Sequence, residues 1–394
     1  MGLKILQDLN VRGRSVFLRV DFNVPLTQEG KILDDTRIQE ALPTIRYLLG
    51  QQARLVLASH LGRPKGRHDP QQSLLPVGEH LSEILKQEVI FPEDCIGDAV
   101  KKLIHDIREG QILLLENLRF HPEEEQNDPE FSKKLASLAE VYITDAFGSL
   151  HRAHASTVGM TSYFKEKGIG LLVQKELEIL QKILKSPERP FYAVLGGAKV
   201  SDKIGVIENL LGRIDGLFLG GALAYTFLKA RGESIGRSRF EEEKLYFAKK
   251  VLKLAEEKGI AVYLPIDHKV VTEIQVGGQS EFQVVRLIPP DKIGVDIGPA
   301  TIQKYQERLA KGRTIFWNGP MGIFEEPLFA EGTRQIAASI AKPGITSVVG
   351  GGESVTACRQ AGVGEQITHL STGGGAMLEF VEGKLLPGLK ALES

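Results

Sequence analysis

At 394 residues the chain is longer than a single hydrophobic core usually serves, so two domains of ordinary size are expected. A composition of 42% hydrophobic and 25% charged residues excludes a disordered chain. The net charge of −1 gives no reason to expect nucleic acid or an anionic membrane as partner.

Cys95 and Cys358 lie far apart and outside any C-x-x-C spacing, which fits a reduced, cytosolic setting without a structural disulfide or zinc site. The opening MGLKILQDLN has no sustained apolar run, and Leu6 stands where a myristoylation motif after Gly2 wants Ser or Thr. No apolar run reaches membrane-spanning length. A cytoplasmic chain with no anchor is the expectation.

Short apolar, β-branched runs alternate with segments of helical period, the pattern of parallel βαβ units covered on both faces. In chain order, SVFLRV (15–20) leads into Asp21-Phe22-Asn23, and a helix opens near Thr36 with Arg37 and continues through ALPTIRYLL (41–49). LVLAS (55–59) leads into His60-Leu61-Gly62-Arg63, and ILLLEN (112–117) into Leu118-Arg119. VYITD (141–145) runs on to His151-Arg152-Ala153-His154. Right-handed crossovers place the loops after such strands along one sheet edge, where ligands of open α/β sheets bind. One arginine after a strand is ordinarily solvated or ion-paired. Several at adjacent strand ends make a pocket for a small polyanion, because guanidinium binds phosphate and carboxylate bidentately. His60, His151 and His154 suit general bases or donors to an anion; no H-E-x-x-H or other metal-ligand spacing occurs.

LLVQKELEILQKIL (171–184) sets Leu172, Leu177, Leu180 and Leu184 among charges and is an amphipathic helix, stopped by Ser186-Pro187 and Arg189-Pro190. It is either the connector between two domains or an ordinary crossover helix. FEEEKLYFAKKVLKLAEEK (240–258) has the same helical period. Beyond the connector, apolar runs end in glycine: AVL at Gly196-Gly197, LFL at Gly220-Gly221, TIFWN at Gly319-Pro320, and SVV at Gly350-Gly351-Gly352.

Glycine lets phosphate oxygens approach the backbone, and the free N–H groups of a helix start favour negative charge. Gly196 to Lys203 closes a strand and opens a helix, on which Lys199 and Lys203 would share a face toward successive phosphates. A tight β–α turn with solvated lysines is the alternative. Glu353, after Gly351-Gly352 and before Ser354, adds a carboxylate able to hold Mg²⁺ on nucleotide phosphates. Asn318 and Glu325 flank a rigid turn and suit a phosphate and a ribose hydroxyl. Ser371-Thr372-Gly373-Gly374-Gly375 offers a further backbone anion site. The absence of G-x-x-x-x-G-K-[ST], and of G-x-G-x-x-G after a strand, counts against a P-loop NTPase and an NAD-dependent oxidoreductase.

RVDFNVP (19–25), SHLGRP (59–64), ENLRF (116–120), HRAH (151–154), GGAKVSDKI (196–204), WNGPMGIFE (317–325) and STGGGA (371–376) together resemble the phosphoglycerate kinase family, in order and across nearly the full length. The resemblance implies an α/β chain of two doubly wound, Rossmann-like parallel-sheet domains joined by a helical hinge. Residues 1–170 would bind phosphoglycerate, 171–185 connect, and 186–376 bind nucleotide, with a tail at 377–394 folding back on the first domain. The reaction implied is Mg²⁺-dependent, in-line phosphoryl transfer from 1,3-bisphosphoglycerate to ADP, with domain closure, in a cytoplasmic monomer that binds neither nucleic acid nor membrane. Asp21, Asn23, Arg37, His60, Leu61, Gly62, Arg63, Arg119 and Arg152 would hold the phosphoglycerate. Lys199, Lys203, Gly220, Gly294, Asn318, Glu325, Gly351, Gly352, Glu353 and Ser354 would hold ATP or ADP, Glu353 taking the Mg²⁺. Arg37 and Lys199 would converge on the migrating phosphoryl group. Two departures from the family pattern stand out: Glu353 where Asp is usual, and Ala222 where a third glycine often follows Gly220-Gly221. A catalytically silent nucleotide-binding protein of the same fold is the alternative.

Overall fold

The strands that read as unbroken apolar runs are buried on both faces, as parallel strands under helices must be. The computed structural model describes residues 2–275 and 281–393. It divides into two units, Met1–Glu178 with Leu385–Ser394, and Ile179–Lys384.

The first unit holds a sheet of β1 (Ser15–Arg19), β2 (Arg54–Ala58), β3 (Val89–Ile90), β4 (Ile112–Leu114), β5 (Val141–Thr144) and β6 (Glu166–Ile169). Their order is β3-β4-β2-β1-β5-β6, with every pair parallel. All five residues of β1 are buried. One core packs Val16, Leu18, Leu55 and Leu57 against Ile45 and Leu48 of helix Thr36–Gly50. From β1 the chain moves to β2 on one side, while from β5 it moves to β6 on the other. The connections therefore diverge between β1 and β5, the position at which open sheets bind ligands.

The second unit has β7 (Phe191–Leu195), β8 (Gly216–Leu219), β9 (Ala261–Tyr263), β10 (His268–Val271), β11 (Gln283–Val285), β12 (Ile293–Ile297), β13 (Thr314–Asn318), β14 (Thr346–Gly350) and β15 (His369–Leu370). Six form a parallel sheet in the order β15-β14-β13-β7-β8-β9. Its connections diverge between β7 and β13. The other three form a small antiparallel sheet, β11-β10-β12, which the apolar periodicity did not anticipate because its strands are short and partly exposed. No helix among the described residues is long and apolar enough to cross a membrane.

Residues 171–185 form one helix, Leu171–Lys185, and the division between the units falls inside it, after Glu178. The segment that groups with the first unit is Leu385–Ser394, starting later than the expected residue 377. Met377 instead lies buried in helix Gly375–Val381 of the second unit, where the Val381 carbonyl accepts from Asn209 Nδ2 at 2.6 Å. The terminal segment is held by the Gly388 N–H, which donates to the Leu150 carbonyl at 2.9 Å.

The start of helix Leu171–Lys185 depends on a buried acid. Asp145, just past β5, accepts from the N–H groups of Leu172 (2.9 Å) and Val173 (3.1 Å) on Oδ1. Burial pushes its carboxyl up to about 7, against the hydrogen bonds it accepts. An unfolded aspartic acid releases its proton near about 4. Between that value and 7 the folded state binds the extra proton, so this group's contribution to stability falls as pH rises. We predict that Asp145→Asn removes this downward contribution to the urea-unfolding midpoint between pH 4 and 7, so that the variant gains on the parent at pH 8 relative to pH 5. Equal slopes for the two proteins would refute the assignment.

Candidate active site

In the first unit the cationic strand ends are tied to one another by side chains. Arg37, near the start of its helix, donates to Asp21 Oδ2. Burial opposes the Asp21 charge, yet Arg37, with Arg19 and the Asn23 N–H, outweighs it and holds the carboxyl below its usual value. Asp21 Oδ1 accepts from the Asn23 N–H at 3.2 Å, and Asn23 Oδ1 accepts from the Gly62 N–H at 2.8 Å. The turns after β1 and β2 are thereby locked together. Arg119 is almost wholly buried, donates from Nη1 to the Gly62 carbonyl at 2.8 Å, and places Nε 3.3 Å from Glu125 Oε1. Burial lowers it to about 10, which leaves it cationic at neutral pH. Arg152 Nε donates to His151 Nε2 at 3.3 Å, while Arg63 is exposed at the turn after Gly62.

The residue that organises these loops escaped the sequence reading. Asn117 is fully buried; its Oδ1 accepts from the N–H groups of Leu61 (3.2 Å) and Arg119 (3.1 Å). Its Nδ2 donates to the carbonyls of Leu61 (2.7 Å) and Gln72 (2.8 Å). Glu116 alongside accepts from Ser73, Leu74 and the Asn117 N–H. Both lie in ENLRF, and their partners Leu74 and Gln72 stand more than forty residues away in the chain. His154 is pushed down to about 3, first by burial and then by Arg119, Arg19 and Arg152, so it is neutral.

In the second unit the glycine turns meet backbone to backbone. A side chain at Gly196 would overlap the Pro320 and Gly319 carbonyls, and one at Gly319 would overlap the Gly196 carbonyl. Gly319 also has φ of 92°, a conformation costly for other residues. The contact is cemented by Gly197 N–H to the Pro320 carbonyl (2.9 Å) and Gly221 N–H to the Met321 carbonyl (2.8 Å). Beside it opens a cleft of about 310 Å³ lined by Gly197, Gly221, Ala222, Tyr225, Gly294 and Glu353, among others including Glu325. Its size and largely apolar walls suit a heterocycle with a polar tail. Gly220 sits just below, buried and packed on Met321.

At the polar end, Lys203 Nζ donates to Asn318 Oδ1, and Asn318 Nδ2 donates to the Gly350 carbonyl at 2.6 Å. Ser354 is fully buried, and its Oγ accepts from the Gly319 N–H at 2.7 Å, so its hydroxyl braces the turn. Burial lowers Lys203, with Asp202, Glu353 and Glu382 acting in the opposite sense. Glu353 is raised, first by burial and then by Glu325, with Lys203 opposing. Glu325 and Glu353 bring two carboxylates to the lining of the cleft, hard oxygens of the kind a divalent cation takes. The donor set of hard oxygens therefore fits Mg²⁺.

One expectation is overturned. Lys199 and Lys203 do not share a helical face, since a 3-10 turn at Ser201–Lys203 precedes helix Ile204–Leu210. The N–H groups of Val200 and Ser201 are not free for phosphate either. Both donate to Glu241, as does Ser201 Oγ at 2.6 Å. The Glu241 N–H in turn donates to Thr226 Oγ1 at 3.1 Å, in helix Gly221–Ala230. Glu241 lies far along the chain from the lysine turn, which is why local pattern could not reveal it. We predict that Glu241→Ala weakens nucleotide binding by roughly tenfold, about 1.4 kcal/mol, by loosening the turn that carries Lys199. Calorimetric titration with ADP checks this, and an unchanged affinity would remove Glu241 from the site's support.

The phosphoglycerate kinase family profile matches residues 6–384. The chain is 52% identical over 395 residues to the phosphoglycerate kinase of Anaeromyxobacter sp. (strain K), covering 100% of both chains. It is 53% identical over 402 residues to that of Koribacter versatilis, covering 98% of each. Among solved structures, phosphoglycerate kinase from Coxiella burnetii superposes with a TM-score of 0.88 at 39% identity, covering 100% of this chain and 99% of that one. The Pyrococcus horikoshii enzyme gives 0.85 at 36% identity, covering 98% of each.

Proposed function

The chain belongs to the phosphoglycerate kinase family and has that kinase activity; we propose the following division of the work among its residues. The first unit holds the phosphoglycerate through Arg37, Arg63, Arg119 and Arg152, with Asp21, Asn23, His60 and the Leu61-Gly62 backbone shaping the pocket. The second holds ADP or ATP, its base in the cleft beside Gly221, Ala222 and Gly294, with Gly220 beneath the turn. Its phosphates lie toward Lys199, Lys203, Asn318 and the Gly351-Gly352 turn, which Ser354 braces, and Glu325 takes a ribose hydroxyl. The observation that carries this reading is the pair of sheet edges with opposite chemistry: clustered guanidinium groups on one, close-packed glycine backbone with a half-buried lysine on the other.

Glu353 would hold the Mg²⁺ that draws charge from the nucleotide phosphates when bound. Its extra methylene relative to Asp sets the carboxylate farther from the backbone, and Ala222 adds only a methyl to the cleft wall.

Phosphoryl transfer asks little covalent chemistry of a protein and much alignment and charge stabilisation. The 3-phosphoglycerate carboxylate is a good leaving group, so transfer from the acyl phosphate to ADP needs no strong general acid or base and no phosphoenzyme. Arg37 and Lys199 neutralise the migrating phosphoryl group from the two substrate sides. The bound substrates must touch, so the cycle includes closure of the units, which also excludes water. A cytoplasmic monomer with small-molecule partners completes the reading. Arg37, Lys199 and Lys203 are all present, and nothing favours a silent protein.

The test is ATP formation from ADP and enzymatically generated 1,3-bisphosphoglycerate with Mg²⁺. We predict that Arg37→Ala lowers kcat at least about a hundredfold, the scale of one lost transition-state donor, with a smaller rise in KM. A near-normal kcat would take Arg37 out of the transition state.

A further inference from the structure

Behind the phosphoglycerate pocket lies a chain of buried polar groups that runs from Glu124 through Ser156 and Arg19 to His60. Glu124 is fully buried at the middle of helix Pro122–Gln126. It accepts from the Ser156 N–H at 2.9 Å and the Ser156 hydroxyl at 2.6 Å. With its hydrogen committed to Glu124, Ser156 Oγ accepts from Arg19 Nε at 2.8 Å. Arg19 is 1% exposed; its Nη1 donates to the Val20 carbonyl, and its Nη2 lies 3.1 Å from His60 Nδ1.

A guanidinium group has donors and no acceptor. His60 Nδ1 must therefore present a lone pair to Arg19, and a neutral ring with an accepting Nδ1 carries its hydrogen on Nε2. An imidazolium is excluded as well, because it would set an Nδ1 hydrogen against a guanidinium hydrogen. Burial acts in the same sense on His60, aided by Arg19, Arg119 and Arg37, with Asp21 alone favouring the proton. Among the described residues, Nε2 makes no hydrogen bond, so it is the ring's open donor.

We infer that Arg19 is a positioning residue that locks neutral His60 in its Nε2–H tautomer, so that the ring offers the phosphoglycerate oxyanion a donor. The inference deepens the reading of the first unit as the phosphoglycerate site and rests on it for the ligand. The lock itself rests on geometry alone. It also removes His60 from the candidate general bases, since the open nitrogen already carries a hydrogen. Arg19 reaches no ligand directly in this arrangement, because its Nε and both terminal nitrogens are turned to Ser156, Val20 and His60. Glu124 stands behind Ser156 as a buried acid whose carboxyl is raised by burial and lowered by Arg19.

The experiment is a long-range ¹H–¹⁵N spectrum of the full chain labelled at histidine, with His60 assigned through His60→Gln. Without ligand at neutral pH, His60 is expected to show a pyridine-like Nδ1 and a protonated, pyrrole-like Nε2. The opposite tautomer or an imidazolium would overturn the lock, whatever the enzyme's substrate. Added 3-phosphoglycerate is expected to shift Nε2 more than Nδ1. An unresponsive Nε2 beside an intact tautomer would overturn the donor role and the assignment of the ligand, and leave the lock standing. Arg19→Lys keeps a donor-only cation and should keep the tautomer, whereas Arg19→Met should let the tautomers mix and raise the KM for 3-phosphoglycerate by about tenfold. A merely structural Arg19 would leave the His60 tautomer the same in Met and Lys variants. Should Arg19→Met fail to fold, the spectra of the parent and Arg19→Lys decide.

Discussion

The second unit is organised by one steric constraint: the turns leaving β7 and β13 share a space that admits backbone and no side chain. Gly196 and Gly319 face each other's carbonyl oxygens there, and the hydrogen bonds from Gly197 and Gly221 close the contact. The strands are adjacent in the sheet, and their connections depart in opposite directions. That divergence opens a crevice, and the glycines prevent side chains from filling it. Asn318, the last residue of β13, then reaches both Lys203 and the Gly350 carbonyl, which ties a third strand end to the same crevice. A single added methyl at either glycine would push these elements apart, and the cleft beside Gly221 and Gly294 depends on their not moving.

The first unit answers a different problem, how to keep several cations close together. It does so by giving each arginine a separate restraint. Arg37 is paired with Asp21, Arg119 is pinned on the Gly62 carbonyl near Glu125, and Arg19 is buried against Ser156 with Glu124 behind it. Asn117 holds the backbone of two of these loops at once. Preorganised donors need no rearrangement when charge arrives, which is the main means by which a protein assists phosphoryl transfer. The two units thus organise their sheet edges by different means, one through paired side chains and the other through close-packed glycine backbone.

Much of this was legible in the sequence because the strands are buried on both faces and so appear as short apolar runs with a distinct residue type after each. The inner strands of both large sheets, the helix start bearing Arg37, the loops bearing His60, Arg119 and Arg152, and the glycine turns follow from that local signal, whereas the edge strands β3, β6, β9 and β15 do not. What could not be read depends on partners distant in the chain. Glu241 occupies the N–H groups of Val200 and Ser201, so a turn that looked open to phosphate is already filled by a carboxylate. Glu124 is the buried member of a run of three glutamates that look alike in sequence. Asn117 and Ser156 are small polar residues whose importance lies in how many groups they reach. The three-stranded antiparallel sheet is not legible because its strands are short, β11 is largely exposed and β12 is only half-buried at its first two residues, which leaves too little apolar contrast to mark them.

The central claim is that each unit carries its own complete substrate site. Amide hydrogen exchange on the unmodified chain, with 3-phosphoglycerate alone and then with MgADP alone, tests it most directly. The account predicts protection at residues 21–23, 60–63 and 117–120 with the first ligand, and at 196–203, 318–325 and 351–354 with the second. Protection of the glycine turns by 3-phosphoglycerate alone, or of the arginine loops by MgADP alone, would contradict it.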